Sequence, residues 1–273
     1  MNDKTRVDVA MVGQGLAESR EKAQALIMSG VVYIKEQKVL KPSEKVSEED
    51  EITVRGLKPH PYVSRGGLKL EKALRSFSLD VSGMTALDIG AATGGFTDVL
   101  LQNGAKHVVA VDVGYGQLDL KIRNDERVTV LERTNARYLT NEMIGGLTPD
   151  ITVMDVSFIS VKLILPAAAE LMKKSGIFCI LIKPQFEAGR ENVGKHGVVR
   201  ENSTRLAVIK DIRDFAVQME YTLTQLDYSP IRGPAGNVEF LALIQPASLG
   251  MESILDTQIE TTVIRAEKSF VLQ

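Results

Sequence analysis

One cysteine, three histidines and no tryptophan are all that 273 residues supply of those types. Cys179 has no internal disulfide partner. Inside the apolar run Gly176-Ile177-Phe178-Cys179-Ile180-Leu181-Ile182 it reads as a buried, inert thiol. His60, His107 and His196 make no ligand spacing with one another or with Cys179, so no metal is expected. No uninterrupted apolar stretch approaches the roughly 18 residues of a membrane span. The start, Met1-Asn2-Asp3-Lys4-Thr5-Arg6, lacks the apolar segment of a secretion signal. A cytoplasmic location without membrane contact is the expectation. An excess of one charge is lacking too: 33 Lys and Arg face 35 Asp and Glu, a net charge of −2. Nucleic-acid binding would have to come from a local basic face.

What remains is ordinary globular protein, 44% hydrophobic and 25% charged, able to bury a core without crosslinks. The pattern changes near residue 60. Before it, Val7, Val9, Ala10, Val12 and Leu16 fit one face of a helix over Arg6 to Gly15. Ser19 suits the cap of a second helix ending at Gly30. Val31 to Ile34 and Glu51 to Val54 read as strands, with a turn at Pro42. The domain expected is 1–58, with a linker at 59–63 overlapping the proline-restricted stretch Leu57-Lys58-Pro59-His60-Pro61-Tyr62. Beyond it, strands at Thr85–Ile89, Val108–Val113, Val128–Leu131, Ile151–Asp155 and Gly176–Lys183 alternate with helices at Phe96–Leu101 and Val161–Lys173. A long helix, Ser203–Met219, precedes two strands, Thr222–Tyr228 and Val238–Ile244. This alternation predicts an α/β fold with a Rossmann-like parallel sheet covered on both faces over 64–246, closed by an antiparallel hairpin at one edge. The tail, 247–273, carries no motif.

The loop Asp88-Ile89-Gly90-Ala91-Ala92-Thr93-Gly94-Gly95-Phe96-Thr97 follows a strand and opens a helix, the context of a nucleotide-binding turn. Gly90 and Gly94 would let the backbone turn and approach a ligand. Asp112, ending the second strand, can accept hydrogen bonds from ribose hydroxyls. The spacing is not that of a dinucleotide loop. Acid just before the turn repels a pyrophosphate but suits a ligand carrying an ammonium and a sulfonium, as S-adenosylmethionine does. Asp155 ends the fourth strand, Lys183 the fifth, and Glu239 interrupts the last apolar run. Each alone reads as a strand-end charge leaning into water. Three on successive strand ends of one sheet suggest a shared site. From spacing alone, Lys69 is a solvated helix residue.

In the order Lys69, Asp88–Gly95, Asp155, Lys183, Glu239 the chain resembles the FtsJ-like (RrmJ-type) ribose 2′-O-methyltransferases. Val63-Ser64-Arg65-Gly66-Gly67-Leu68-Lys69-Leu70 and Lys183-Pro184-Gln185-Phe186-Glu187 narrow the resemblance to the TlyA family, also called haemolysin A. Arg6-Val7-Asp8 and Ser19-Arg20-Glu21-Lys22-Ala23, leading to Ile27–Val32, resemble an S4 RNA-binding domain. Thr93 departs from the pattern, since such loops often carry proline there.

The resemblance implies S-adenosylmethionine-dependent 2′-O-methylation of a cytidine ribose in ribosomal RNA, free or within ribosomal subunits. It implies Lys69, Asp155, Lys183 and Glu239 as the catalytic set. Asp88, Gly90, Ala91, Gly94, Gly95, Phe96 and Asp112 would hold the cofactor, with Asn135 at the adenine edge. Arg6, Arg20, Lys22 and Arg65 would meet RNA phosphates. The rivals are a membrane-active haemolysin and a non-catalytic RNA-binding protein. The first would need a span, a cationic amphipathic helix or a secretion signal, none of which is visible. The second has no use for the Lys-Asp-Lys-Glu set. A base methyltransferase would typically carry a catalytic cysteine or an Asn/Asp-Pro-Pro-Tyr-like tetrapeptide where Asp155-Val156-Ser157-Phe158 stands. Oligomeric state is not legible.

Overall fold

The computed structural model describes residues 5–14, 16–17, 19–35, 37–47, 50–54, 60–233 and 235–271. The expected helix end at Gly15 and the linker residues Leu57, Lys58 and Pro59 lie outside them. The chain divides into two compact units, Met1–Pro61 and Tyr62–Gln273.

The first unit contains β1 (Thr5–Arg6), α1 (Val7–Gly13), α2 (Arg20–Met28), β2 (Val32–Ile34), β3 (Gln37–Lys38), β4 (Lys45–Val46) and β5 (Ile52–Val54). The first helix turns a different face inward from the one expected, with Val7, Asp8 and Met11 buried and Val9 exposed, while α2 buries Ala23 and Ile27. Ser19 caps α2 by accepting the Lys22 N–H, and Gly30 ends it with φ of +72°. β1 pairs with β4, and β3-β2-β5 form a second antiparallel sheet. Val7, Met11, Ala23, Ile27, Val32, Val39, Val46 and Ile52 make its core. One acid is buried there: Asp8 takes a two-pronged contact from Arg6, at 2.9 Å on each oxygen, and further hydrogen bonds from Gln24 and Arg20.

The second unit contains α3 (Gly67–Ser76), β6 (Thr85–Ile89), α4 (Gly95–Gln102), β7 (His107–Val111), α5 (Leu120–Arg123), β8 (Val128–Leu131), β9 (Ile151–Met154), α6 (Leu165–Leu171), β10 (Ile177–Ile182), α7 (Pro184–Glu187), α8 (Asn202–Gln218), β11 (Tyr221–Tyr228), β12 (Phe240–Pro246) and α9 (Asp256–Val271). The sheet order is β11-β12-β10-β9-β6-β7-β8. β8, β7, β6, β9 and β10 run parallel, and β12 runs antiparallel to both β10 and β11. Successive residues of each inner strand point to opposite faces. Leu87, Ile89, Met154, Ile180 and Ile182 join α6, α8 and α9 on one side. Ala86, Val153, Cys179 and Leu181 join α3 and α4 on the other. Near-continuous apolar runs are what a sheet covered on both faces requires. Burial pushes the Cys179 thiol up to about 12.

The chain winds outward from β6 through β7 to β8, then returns to place β9 on the other side of β6. This reversal opens a crevice beyond the carboxyl ends of β6 and β9, where open α/β sheets bind ligands.

Several details of the second unit depart from the sequence expectation. The helix expected over Val161–Lys173 is a 3-10 turn, Val161–Leu163, followed by the shorter α6 with Pro166 in its first turn. β7 stops at Val111, so Asp112 and Val113 enter the following loop. The closing strands are antiparallel, but β12 inserts between β10 and β11 and only β11 is an edge. The motif-free tail forms α9, whose Ile259, Val263 and Ala266 are buried. Ile259 and Val263 each gain about 1.5–3 kcal/mol from leaving water.

Candidate active site

Topology brings four charged side chains to one edge of the sheet. Asp155 directly follows β9 and Lys183 directly follows β10. Glu239 precedes β12, yet because β12 is antiparallel and Phe240 pairs with Ile182, its start lies beside the end of β10. Lys69 reaches the same edge from the first turn of α3, which is packed on the sheet through Leu70, Ala73 and Leu74. The solvated position expected for Lys69 from spacing is therefore wrong. It is 7% exposed, because the face of α3 that carries it is turned to the sheet rather than to water.

The four charges alternate. Lys183 Nζ lies 2.6 Å from Asp155 Oδ1. Asp155 Oδ2 accepts from Lys69 Nζ at 3.1 Å, and Lys69 Nζ lies 2.9 Å from Glu239 Oε2. Lys183 also donates to Ser157 Oγ at 2.8 Å. An ammonium has three donors, so one N–H of Lys183 is left without a protein acceptor among the described residues. Burial opposes the Lys69 charge, but Asp155 and Glu239 outweigh it and raise its pKa. Burial likewise opposes ionisation of Asp155, but Lys69 and Lys183 hold it below its ordinary value. Lys69 and Asp155 thus stay charged at neutral pH. Two cations and two anions in alternation make a buried group with no net charge, the arrangement that buried ions require.

A cavity of about 460 Å³ opens on this set, lined also by Ser64, Ala91, Phe96, Ser157, Phe158 and Gln185. A second, of about 310 Å³, adjoins it at Gly90, Ala92, Asp155, Ser157 and Phe158 and runs out to Asp112 and Asn135. Asp112 Oδ2 accepts the Ala92 N–H and Oδ1 the Gly114 N–H, at 2.8 and 2.7 Å. Each oxygen keeps a second lone pair for a ribose hydroxyl. An elongated cleft with a carboxylate at one end and the Asp155 carboxylate at the other fits S-adenosylmethionine, whose ribose is a donor and whose sulfonium is a cation.

Of the residues expected around the cofactor, Gly90, Ala91, Gly95, Phe96, Asp112 and Asn135 line the cleft. Asp88 does not. It is fully buried beneath the loop, with Oδ2 accepting from Thr97 Oγ1 at 2.6 Å, and burial pushes its pKa up to about 7. Gly94 also faces the protein: at its φ of +92° a Cβ would stand 2.9 Å from Leu118. Gly90, at φ of +85°, would place a Cβ 2.7 Å from the Asp155 carbonyl oxygen. Here glycine is demanded by the meeting of β6 and β9 at the crevice, not only by a ligand.

Among the candidate RNA contacts, Lys22 and Arg65 are exposed. Arg6 and Arg20 spend donors on Asp8, and Arg6 is the main reason the Asp8 carboxyl lies well below the usual range.

Sequence reading assigned no role to Ser157, Phe158, Gln185 or Glu187. All four sit within five residues of a strand end, the one signal that could have found them. Phe158 is 91% exposed at φ of +65°, its ring 5.0 Å from that of Phe186. Glu187 ties the two strand-end loops together by accepting from Ser160 Oγ and the Val161 N–H.

The FtsJ-like methyltransferase family profile matches residues 62–245, and the S4 domain profile matches residues 5–52. The 16S/23S rRNA (cytidine-2′-O)-methyltransferase TlyA of Mycobacterium tuberculosis is 45% identical over 88% of this chain and 89% of its own length. Hemolysin A of Brachyspira hyodysenteriae is 41% identical over 87% of this chain and 98% of its own. A solved Streptococcus thermophilus structure, named provisionally as a hemolysin, is 45% identical. It superposes with a TM-score of 0.78 over 100% of this chain and 98% of that one.

Proposed function

Because the chain belongs to the FtsJ-like methyltransferases, and within them to the TlyA family, we propose that it methylates the 2′-hydroxyl of a cytidine ribose in ribosomal RNA. The observation that carries this reading is the alternating Lys183–Asp155–Lys69–Glu239 ladder at the floor of the cleft. S-adenosylmethionine is the cofactor of this class, and when bound it supplies a methyl group on a sulfonium. Gly90, Ala91 and Phe96 would border it, Asp112 would take its ribose, and Asn135 would lie toward its base.

A 2′-hydroxyl is a weak nucleophile until its proton is shared. Lys183 has the free N–H and faces the cavity, so as an ammonium it orients the hydroxyl oxygen and stabilises the negative charge that develops there, the hydroxyl proton passing to solvent. As a neutral amine it would instead take the proton. Asp155 and Ser157 fix its position in either case. Lys69 balances Asp155 and Glu239 so that neither carboxylate faces the reacting oxygen uncompensated. Holding two reactants in line can itself supply roughly 7–11 kcal/mol of acceleration. Phe158, an exposed ring at the cleft mouth, offers a face for a base drawn out of the RNA.

The S4 unit would hold the structured RNA. Lys22 and Arg65 offer exposed charge for phosphates, while Arg6 and Arg20 serve first to neutralise Asp8. We extend the reading to ribosomal subunits as substrates and to the cytoplasm as the place of action. Among the described residues no helix is long and apolar enough to cross a membrane, and nothing in the cleft favours a lytic activity. Mapping 2′-O-methyl groups on ribosomal RNA from cells with and without the gene tests the proposal. An unchanged map would overturn it.

A further inference from the structure

Gln185, in the first turn of α7, is held by one end only. Its amide donates from Nε2 to Glu239 Oε1 at 3.3 Å. A carboxylate cannot donate, so the nitrogen must face Glu239 and the carbonyl oxygen must point the other way. That Oε1 is buried and accepts no hydrogen bond among the described residues. A buried acceptor without a donor is costly, and a ligand that brings a donor relieves the cost. Gln185 borders the cavity above Lys183 and a groove that continues outward along Phe158, Phe186, Gly194 and Gly197. It takes no part in the Asp112–Asn135 end of the cleft. Gln185, which carries the orphaned oxygen, therefore lies on the side of the cleft left for the methyl acceptor.

Resting on the RNA reading above, we infer that Gln185 selects the base of the target nucleotide, its Oε1 accepting a hydrogen bond from the exocyclic N4 amino group of cytosine. Uracil has the same size and presents an acceptor, O4, where cytosine presents a donor. Two acceptors face to face repel, and both lose their partners on leaving water. An unrestrained glutamine would escape this by turning its amide over. Gln185 cannot, because turning would set Oε1 against the Glu239 carboxylate. Glu239 is buried and in contact with Lys69, so it is itself fixed. Glu239 thus acts through Gln185 as a lock on amide orientation.

The test uses the full chain, S-adenosylmethionine and ribosomal RNA carrying cytidine, uridine or a pyrimidin-2-one riboside at the modified position. The 2′-O-methyl group is read by mass spectrometry. Absence of ribose methylation on any RNA by the wild-type protein would sink the functional reading, and this inference with it. Given methylation of cytidine, kcat/KM for uridine is expected to be at least about tenfold lower, with the analogue that lacks the amino group in between. Equal rates on cytidine and uridine would overturn the selection role while leaving the methyltransferase reading intact. Gln185→Leu, with cofactor affinity as the check on folding, should bring the cytidine-to-uridine ratio close to one. A variant that loses activity but keeps the wild-type ratio would show that Gln185 only steadies Glu239, and would also overturn the inference. Should Gln185→Leu fail to bind cofactor, the wild-type ratios over the three substrates decide the matter.

Discussion

At the scale of single residues, the four charges of the ladder are not equivalent, and substitutions should separate them. Removing Lys183 leaves Asp155 still bonded to Lys69 at 3.1 Å, so no buried charge is orphaned. Lys183→Ala is expected to cut methyl transfer by about 100- to 1,000-fold, with cofactor affinity and denaturation midpoint near wild type. Lys183→Arg should fail as well, since a guanidinium cannot act as a base at neutral pH and is larger than an ammonium. Wild-type turnover in Lys183→Ala would mean that another group faces the 2′-oxygen. Removing Lys69 strips the cation from Glu239, which is 1% exposed, and one of two from Asp155. Lys69→Ala should therefore cost about 3–5 kcal/mol in urea denaturation. A third expectation concerns Asp88. Burial raises its native pKa from 3.8 to about 7, so the native state holds the proton more tightly than the unfolded chain does. Its stabilisation is complete below about pH 4, falls as pH rises, and is lost above about pH 7. Asp88→Asn cannot ionise, so the stability difference between wild type and variant should shrink between pH 4.5 and 7.5 (roughly the window set by those two values). A constant difference across that range would mean the carboxyl titrates normally. Asp155, Lys183 and Glu239 were legible in the sequence because each interrupts or ends an apolar run. Lys69 was legible only through the resemblance and not from spacing, since a single lysine in an amphipathic helix looks the same whether its face meets water or a sheet edge, and its partner Asp155 stands 86 residues away.

At the scale of elements, legibility followed periodicity. β6 and β8 occupy the expected residues because apolar runs bounded by glycine, proline or polar turns leave little freedom in where a strand begins and ends. The helix after β9 was overextended, because its apolar spacing hides the 3-10 turn that Glu187 holds from α7. The place of β12 between its neighbours could not be read at all: strand order is a property of pairing, which local pattern does not encode. The cleft depends on such pairing. Gly90 passes so close to Asp155 because β6 and β9 are adjacent while the chain between them makes two other strands. Gly90→Ala would face both a φ of +85° and a Cβ contact of 2.7 Å with backbone. We expect it to destabilise the second unit by roughly 1–3 kcal/mol or more and to weaken S-adenosylmethionine binding in calorimetry. Unaltered affinity would mean that the loop can shift without disturbing the cofactor end of the cleft.

At the scale of the whole molecule, the chain joins two units with separate cores, and the division of labour proposed for them depends on each standing alone. The core of the first, from Val7 to Ile52, shares no member with the cores of the second. The start of the second unit is anchored within itself. The Tyr62 hydroxyl donates to Glu71 Oε1 at 3.0 Å, and the Val63 N–H to Asp98 Oδ2 at 2.8 Å. Gly95 lies against Ser64 and Gly67, so the segment before α3 also shapes the loop that borders the cleft. A truncated chain beginning at Tyr62 retains all of these contacts, whereas one beginning at Gly66 loses those of Tyr62, Val63 and Ser64. The first is therefore expected to fold and to bind S-adenosylmethionine within about threefold of the full chain, and the second to bind it poorly. Neither carries the S4 unit. With a net charge of only −2 the protein has no bulk attraction for RNA, so losing the module that would supply local phosphate contacts should fall almost wholly on the RNA side. Methylation of ribosomal RNA by the Tyr62 truncation should drop by about 100-fold or more, chiefly through KM, and the deficit should grow as salt is raised. Full activity in that truncation, at any salt, would mean that the second unit finds its RNA unaided and that the S4 unit serves some other purpose.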